Sequence, residues 1–389
     1  MRIGVDATCF QNKRGYGRQG RGLLIALVQL DRENKYTLFS DSKENLEVIP
    51  PQAEVRLVTT SAPTAVSASS SGHRSVYDMW RMSRAMSKKD FDLLLFPTVY
   101  SYVPVLNRTK KVVIIHDVIA EHYPQFTLPS PSARLFWKTK VALGRWQADA
   151  IVTVSEYSRQ CILRYFKLAP EHVFVVGEAS DPIFRTLDNP QPTKQLNSMG
   201  INGAHRTIVH VGGFSPHKNL EALVAVFAKL VSRKTFSDIR LVMVGETEKE
   251  VFHSYFPTIK KQAVDLGVSD RVIFTGYLPD QELVVLLNLS TVLVLPSLME
   301  GFGLPAIEAA ACGCPVIATT ASPLPTLLGD GGLYIDPSKP EELEVALTRV
   351  MESESIRQQM REAGVAAARQ HTWEGAAHQM MMVIQKVFG

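Results

Sequence analysis

Two glutamates bracket a Gly- and Pro-containing turn in the stretch EGFGLPAIE, Glu300 to Glu308. Pro305 suits the first turn of a helix that continues through AIEAAAC. Glu308 then lies about one turn inside that helix and Glu300 in the loop before it, so the two carboxylates can reach two parts of one extended ligand. The plainer reading is a helix start with favourable charges, each contributing roughly 0.3–1 kcal/mol. A second group is GGFSPHKNL (212–220), where Gly212 and Gly213 admit close backbone approach and Lys218 adds a compact cation. That combination suits a bound phosphate, and a lysine at a helix start gains nothing from the dipole. A third is GYGRQGRG (15–22), in which Gly15, Gly17, Gly20 and Gly22 surround Arg18. It reads as an anion-binding loop before a helix opening at LLIAL, or as a flexible basic loop. His116-Asp117 follows the apolar run KVVII and suits a cleft or a structural role. Ser155 reads as the N-cap of the helix that follows it.

Each of these groups follows a short β-branched run, and those runs position them. In the first half they cover 2–7, 36–40, 92–96, 111–117, 150–155 and 172–176, and in the second 207–212, 239–245, 271–276, 291–296 and 314–319. Continuous apolar runs alternating with helical patterns predict parallel strands covered on both faces. The expected fold class is α/β: two Rossmann-like, doubly wound parallel-sheet domains facing a cleft. The polar stretch 188–203 places the boundary, giving an N-terminal domain at 1–187 and a C-terminal domain at 188–371. The Ser/Thr/Ala-rich stretch 59–75 reads as a long loop.

Composition narrows the classes. The 389 residues, 46% hydrophobic and 21% charged, are ordinary for a two-domain globular protein. No run approaches the roughly 18 uncharged apolar residues of a membrane helix, and the start MRIGVDATCF has no signal-peptide pattern, which points to the cytoplasm. Cys9, Cys161, Cys312 and Cys314 lack metal-ligand or disulfide spacing. The net charge of +4 hides an asymmetry, because residues 1–180 hold 24 Lys and Arg against 16 Asp and Glu. A basic first half suits an acidic, phosphorylated or membrane-surface partner, or is chance solvated charge.

Taken together, GYGRQ, VVIIHD, VTVSEYS, VGGFSPHKNL, FTGYLPD and the long segment around EGFGLPAIE resemble the retaining glycosyltransferases of family 4, which have the GT-B fold. The pattern is closest to bacterial mannosyltransferase-like members that build polysaccharides. The resemblance implies transfer of a hexose from a nucleotide sugar, GDP-mannose first and UDP-sugars next, to a saccharide or polyprenyl-linked acceptor. It implies no cofactor, no metal and no nucleic-acid partner. Glu308 would hold the ribose. Glu300, with backbone N–H groups of Phe302, Gly303 and Leu304, would contact the sugar and its β-phosphate. Lys218 would neutralise the diphosphate, Gly15, Gly17 and Arg18 would approach it from the other domain, Gly212 and Gly213 would flank it, and His116 would lie near the transferred sugar. Residues 372–389 resemble a closing helix that returns to the N-terminal domain. Many relatives carry an arginine where this chain has Gly213, so His217 or Arg18 would have to supply that charge. Alternatives within the fold are a sugar-nucleotide 2-epimerase and a non-catalytic binding relative. A dehydrogenase is poorly supported without a clean G-x-G-x-x-G. The acceptor is expected on the basic half, and the helix at 132–147, with Arg134, Phe136, Trp137, Lys138, Lys140 and Arg145, could touch anionic lipid at the inner face of the membrane or cover the sheet.

Overall fold

A computed structural model of the chain describes residues 1–12, 15–44, 48–64, 75–88, 90–128, 130–247 and 254–389. Within 59–75, residues 65–74 lie outside the described residues. The apolar runs form two all-parallel sheets, one in each of two units, Met1–Ala179 with Thr372–Gly389 and Ser180–His371.

The first sheet has the order β3-β2-β1-β4-β5-β6-β7. Its strands are β1 (Arg2–Asp6), β2 (Lys35–Ser40), β3 (Glu54–Leu57), β4 (Leu93–Phe96), β5 (Lys110–Ile114), β6 (Ala150–Thr153) and β7 (Val173–Val175). Ile3, Val5, Leu93, Leu95, Val112 and Ile114 are fully buried between helices, as a sheet covered on both faces requires. The first helix, α1 (Gly15–Leu30), begins at the glycines themselves, so the expected Gly-rich loop is helical. Packing explains the glycines. A Cβ on Gly17 would fall 1.9 Å from the Asn12 carbonyl oxygen, and one on Gly22 would fall 2.3 Å from the Trp373 indole. Trp373 opens the closing helix Trp373–Phe388, which buries Ala377, Met380 and Ile384 in this core.

The second sheet has the order β10-β9-β8-β11-β12-β13. Its strands are β8 (Thr207–Val211), β9 (Arg240–Val244), β10 (Val272–Gly276), β11 (Val292–Leu295), β12 (Val316–Thr319) and β13 (Gly332–Ile335). The chain winds outward from β8 in one direction and from β11 in the other, so the topological switch point lies between these two strands. Neither β3 nor β13 was expected from the sequence. Residues 180–187 belong to this unit, earlier than the expected boundary at 188. Asn288 holds them there, accepting from the Leu187 amide at 2.8 Å and donating to the Arg185 carbonyl at 3.0 Å.

Candidate active site

In an open parallel sheet, ligands gather outside the carboxyl ends of the strands at the switch point. In the second unit the strands flanking that point deliver Lys218 and Glu300. After β8 the chain passes Gly212 and Gly213, makes a 3-10 turn at Pro216–Lys218, and enters helix Leu220–Val231 through the left-handed Asn219. The Asn219 amide group donates to the carbonyls of Pro296 and Pro337, which locks this turn against the loops after β11 and β13. The backbone supplies a further tie, since the Leu298 amide donates to the His217 carbonyl at 2.8 Å.

Across that junction Lys218 Nζ donates to Glu300 Oε1 at 2.7 Å, and Ser297 Oγ donates to the same oxygen at 2.6 Å. Burial alone would raise the Glu300 carboxyl, but the Lys218 charge and the two hydrogen bonds outweigh it and hold it below its ordinary value. Two buried imidazoles flank the pair. Burial pushes His217 down to about 3 and His210 down to about 4, so both are neutral at physiological pH. His217 therefore does not replace the missing arginine's charge in this form. A carbonyl can only accept, so His210 Nδ1 carries its hydrogen toward Val294 O at 3.0 Å, and Nε2 is left as an acceptor. Nε2 has no partner, and it sits 3.2 Å from where a Gly212 Cβ would be.

The loop carrying Glu300 ends at Gly303, the N-cap of helix Leu304–Ala311. Gly303 has φ +85°, and a Cβ there would meet Leu324 at 2.8 Å, so both backbone and space demand glycine. Phe302 and Leu304 are buried, Phe302 standing edge-on to His371. Their side chains anchor the turn, and because Pro305 has no N–H and the Ala306 amide donates to the Gly303 carbonyl at 2.8 Å, Leu304 carries the helix N–H that is left to meet an anion. Glu308, inside the same helix, is 3% exposed.

The first unit places its own candidates around the carboxyl ends of β1 and β5. Gly15 is exposed at the start of α1, Gly17 is pressed against Asn12, and Arg18 is half-buried. His116 follows β5, with Nε2 3.4 Å from Gln19 Oε1 and Nδ1 unpartnered. Burial lowers it to about 4. Ser155 is the N-cap of helix Glu156–Phe166, accepting from the Ser158 amide at 3.0 Å.

Two families match the chain along most of its length: Glycosyltransferase Family 4 over residues 29–182 and Glycosyl transferases group 1 over residues 193–366. The chain belongs to glycosyltransferase family 4. Among relatives, a serotype-specific mannosyltransferase, WbdA, of Escherichia coli is 26% identical over 97% of this chain and 47% of its own length. A D-inositol 3-phosphate glycosyltransferase of Acidothermus cellulolyticus is 30% identical over 66% of this chain and 56% of its own. The chain thus spans about half the length of these curated relatives. Sucrose-phosphate synthase from Thermosynechococcus elongatus shares the fold, with a TM-score of 0.76 at 19% identity, covering 100% of this chain and 99% of that one. Two Rossmann-like parallel-sheet units are the architecture of the GT-B glycosyltransferases.

Within that family site, Ser297 and His210 were not expected from the sequence. Both left a signal: Ser297 directly follows the β11 run, and His210 is a polar residue inside the apolar run TIVHV. Chemically, the second unit presents one ammonium, one carboxylate poised against it and a helix N-terminus, all at one switch point. That set can hold an anion and a hydroxyl-bearing group side by side.

Proposed function

We propose that this chain transfers a hexose from a nucleoside-diphosphate sugar to a saccharide or lipid-linked saccharide acceptor, with retention at the anomeric carbon. GDP-mannose is the favoured donor, on the strength of the mannosyltransferase relative, and UDP-sugars come next. The observation that carries this reading is the Lys218–Glu300 pair across the switch point of the second sheet, 2.7 Å apart. A bound diphosphate competes with Glu300 for the Lys218 ammonium, and the freed carboxylate then accepts hydroxyls of the sugar. As the bond from the anomeric carbon to the β-phosphate oxygen breaks, negative charge grows on the leaving diphosphate. Lys218 and the amides of Phe302, Gly303 and Leu304 are preorganised to meet it, and stabilisation of this kind supplies most of the acceleration in many enzymes. The acceptor hydroxyl attacks from the face the leaving group vacates, and its proton passes to a phosphate oxygen. This route assigns no step to a metal. Glu308 takes the ribose, Gly212 and Gly213 admit the diphosphate, and Gly15, Gly17, Arg18 and His116 carry donor-side roles by resemblance.

Among the described residues no helix is long and apolar enough to cross a membrane. Helix Pro131–Gln147 exposes Leu135, Phe136 and Trp146 beside Arg134 and Lys138, which supports peripheral contact with the cytoplasmic leaflet. The deciding experiment incubates the protein with GDP-mannose, UDP-glucose and other nucleotide sugars and measures nucleotide release with and without saccharide acceptors. Lys218→Ala is expected to lower turnover by at least about tenfold, about 1.4 kcal/mol or more of lost charge stabilisation. Near wild-type transfer by that variant would remove Lys218 from the mechanism.

A further inference from the structure

Two donors converge on one oxygen of Glu300, and they differ in how firmly they are held. Lys218 Nζ reaches Oε1 at 2.7 Å from the end of a flexible four-carbon stem. Ser297 Oγ reaches the same atom at 2.6 Å from a short side chain with one rotatable bond to its oxygen. The backbone on both sides of Ser297 is tied. The Pro296 carbonyl accepts from Asn219 at 3.1 Å, and the Leu298 amide donates to the His217 carbonyl at 2.8 Å. Ser297 itself is fully buried just past β11. The backbone of Glu300 is fixed too, its amide donating to the Ala321 carbonyl at 3.0 Å. Among the described residues the other carboxylate oxygen, Oε2, has no hydrogen-bond partner.

We infer that Ser297 is a positioning residue: it keeps hold of the Glu300 carboxylate when the donor diphosphate draws Lys218 away, so that Oε2 stays presented to the transferred sugar. The inference rests on the transferase reading. An ammonium on a long stem can follow an arriving anion, whereas a hydroxyl on a tethered backbone stays where it is. Once Lys218 has moved to phosphate, Glu300 is a carboxylate only 7% exposed that has lost its counter-charge. Such a group relieves the cost of burial by taking up a proton, and a nearby phosphate charge pushes the same way. The Ser297 hydrogen bond favours the charged form and opposes that uptake. The other ionisable groups facing Glu300 are His217, in the turn after β8, and His210, within β8, and both are neutral. The loop after β12 brings residues 320–323, none of which ionises. Ser297 thus takes over in the donor complex the part that Lys218 plays in the free protein.

The test is titration calorimetry of the full chain with GDP-mannose and UDP-glucose, whose phosphates do not titrate near neutrality. Buffers of different ionisation enthalpy count the protons taken up on binding. In Ser297→Ala the free protein keeps Lys218 on Glu300, so its thermal midpoint should move little. On donor binding its Glu300 carboxyl rises, the complex holds a proton that the free protein lacks, and affinity therefore increases as pH falls. The variant is expected to take up at least about half a proton more than wild type near pH 6. Ser297→Ala/Glu300→Gln should abolish that excess, which assigns it to Glu300. Turnover of Ser297→Ala should fall about tenfold or more with acceptor KM little moved, and Ser297→Cys, a weaker donor, should fall between. Equal proton counts in wild type and Ser297→Ala, or undiminished turnover in the variant, would overturn the role of Ser297 and leave the transferase reading standing. A lowered thermal midpoint without excess proton uptake would make Ser297 a structural residue only. Wild-type protein that neither binds nor turns over any nucleotide sugar would instead sink the transferase reading, and the positioning role with it.

Discussion

Lys218 and Glu300 are both largely buried, and a buried ion pair adds little net stability while being costly to break from one side. Lys218→Ala strands the Glu300 carboxylate with Ser297 alone, so the variant should lose stability as well as turnover. Adding Glu300→Gln removes the stranded charge. The double variant Lys218→Ala/Glu300→Gln is expected to regain about 1–3 kcal/mol in denaturant unfolding while turnover stays at the single-variant level. A double variant no more stable than Lys218→Ala would show that the pair is solvated enough to be independent. The pair was only half legible. The motifs announced Lys218 and Glu300 as separate candidates, but their mutual contact depends on β8 and β11 being neighbours, which no local pattern encodes.

Among the elements, α1 shows local propensity overruled by packing. Four glycines in eight residues disfavour helix, roughly 1 kcal/mol each relative to alanine, so the sequence suggested a loop. Tertiary contact reverses that preference, because Gly22 leaves room for Trp373 and Gly17 for the Asn12 backbone. Gly22→Ala therefore sets two effects against each other. The helix gains up to about 1 kcal/mol, while a methyl 2.3 Å from a rigid indole costs about 1–3 kcal/mol and displaces the closing helix. The expected net outcome is a lower melting temperature with faster proteolytic release of residues 372–389, and a more stable variant would show that Trp373 has somewhere else to go. The long apolar strands were legible because parallel strands buried on both faces read as continuous runs. The missed strands, EVRL in β3 and GLYI in β13, are short edge strands with polar or small residues and solvent-facing positions. The sequence left the helix at 132–147 open between lipid contact and covering the sheet, and the hydrogen bond from Trp137 to Glu121 was not legible because Glu121 sits sixteen positions away on another helix.

At the scale of the whole molecule, buried neutral histidines tie stability to pH. His116 and His210 are held near 4 and His217 near 3, all below the ordinary 6.5. Between pH 6.5 and about 4 the unfolded chain binds protons that the folded chain refuses, so stability falls as pH drops through that window. Glu300 acts lower. Its depressed carboxyl contributes stability that is complete at neutral pH and is lost only as pH falls through and below the ordinary carboxylate range. Denaturant titrations across pH 7 to 5 should show proton uptake on unfolding, and His210→Asn, which retains a donor for Val294, should reduce the slope by about one proton. An unchanged slope would mean that His210 ionises without unfolding.

The return of the closing helix also orders events during synthesis. The first unit's core needs Met380 and Ile384, which leave the ribosome about 200 residues after Ala179. At about 5–20 residues per second that is a wait of roughly 10–40 s. The second unit is one continuous segment, Ser180–His371, and can complete its own core during that interval. The part translated first is thus the last to close, and its sheet without the closing helix is the species a nascent-chain chaperone would meet.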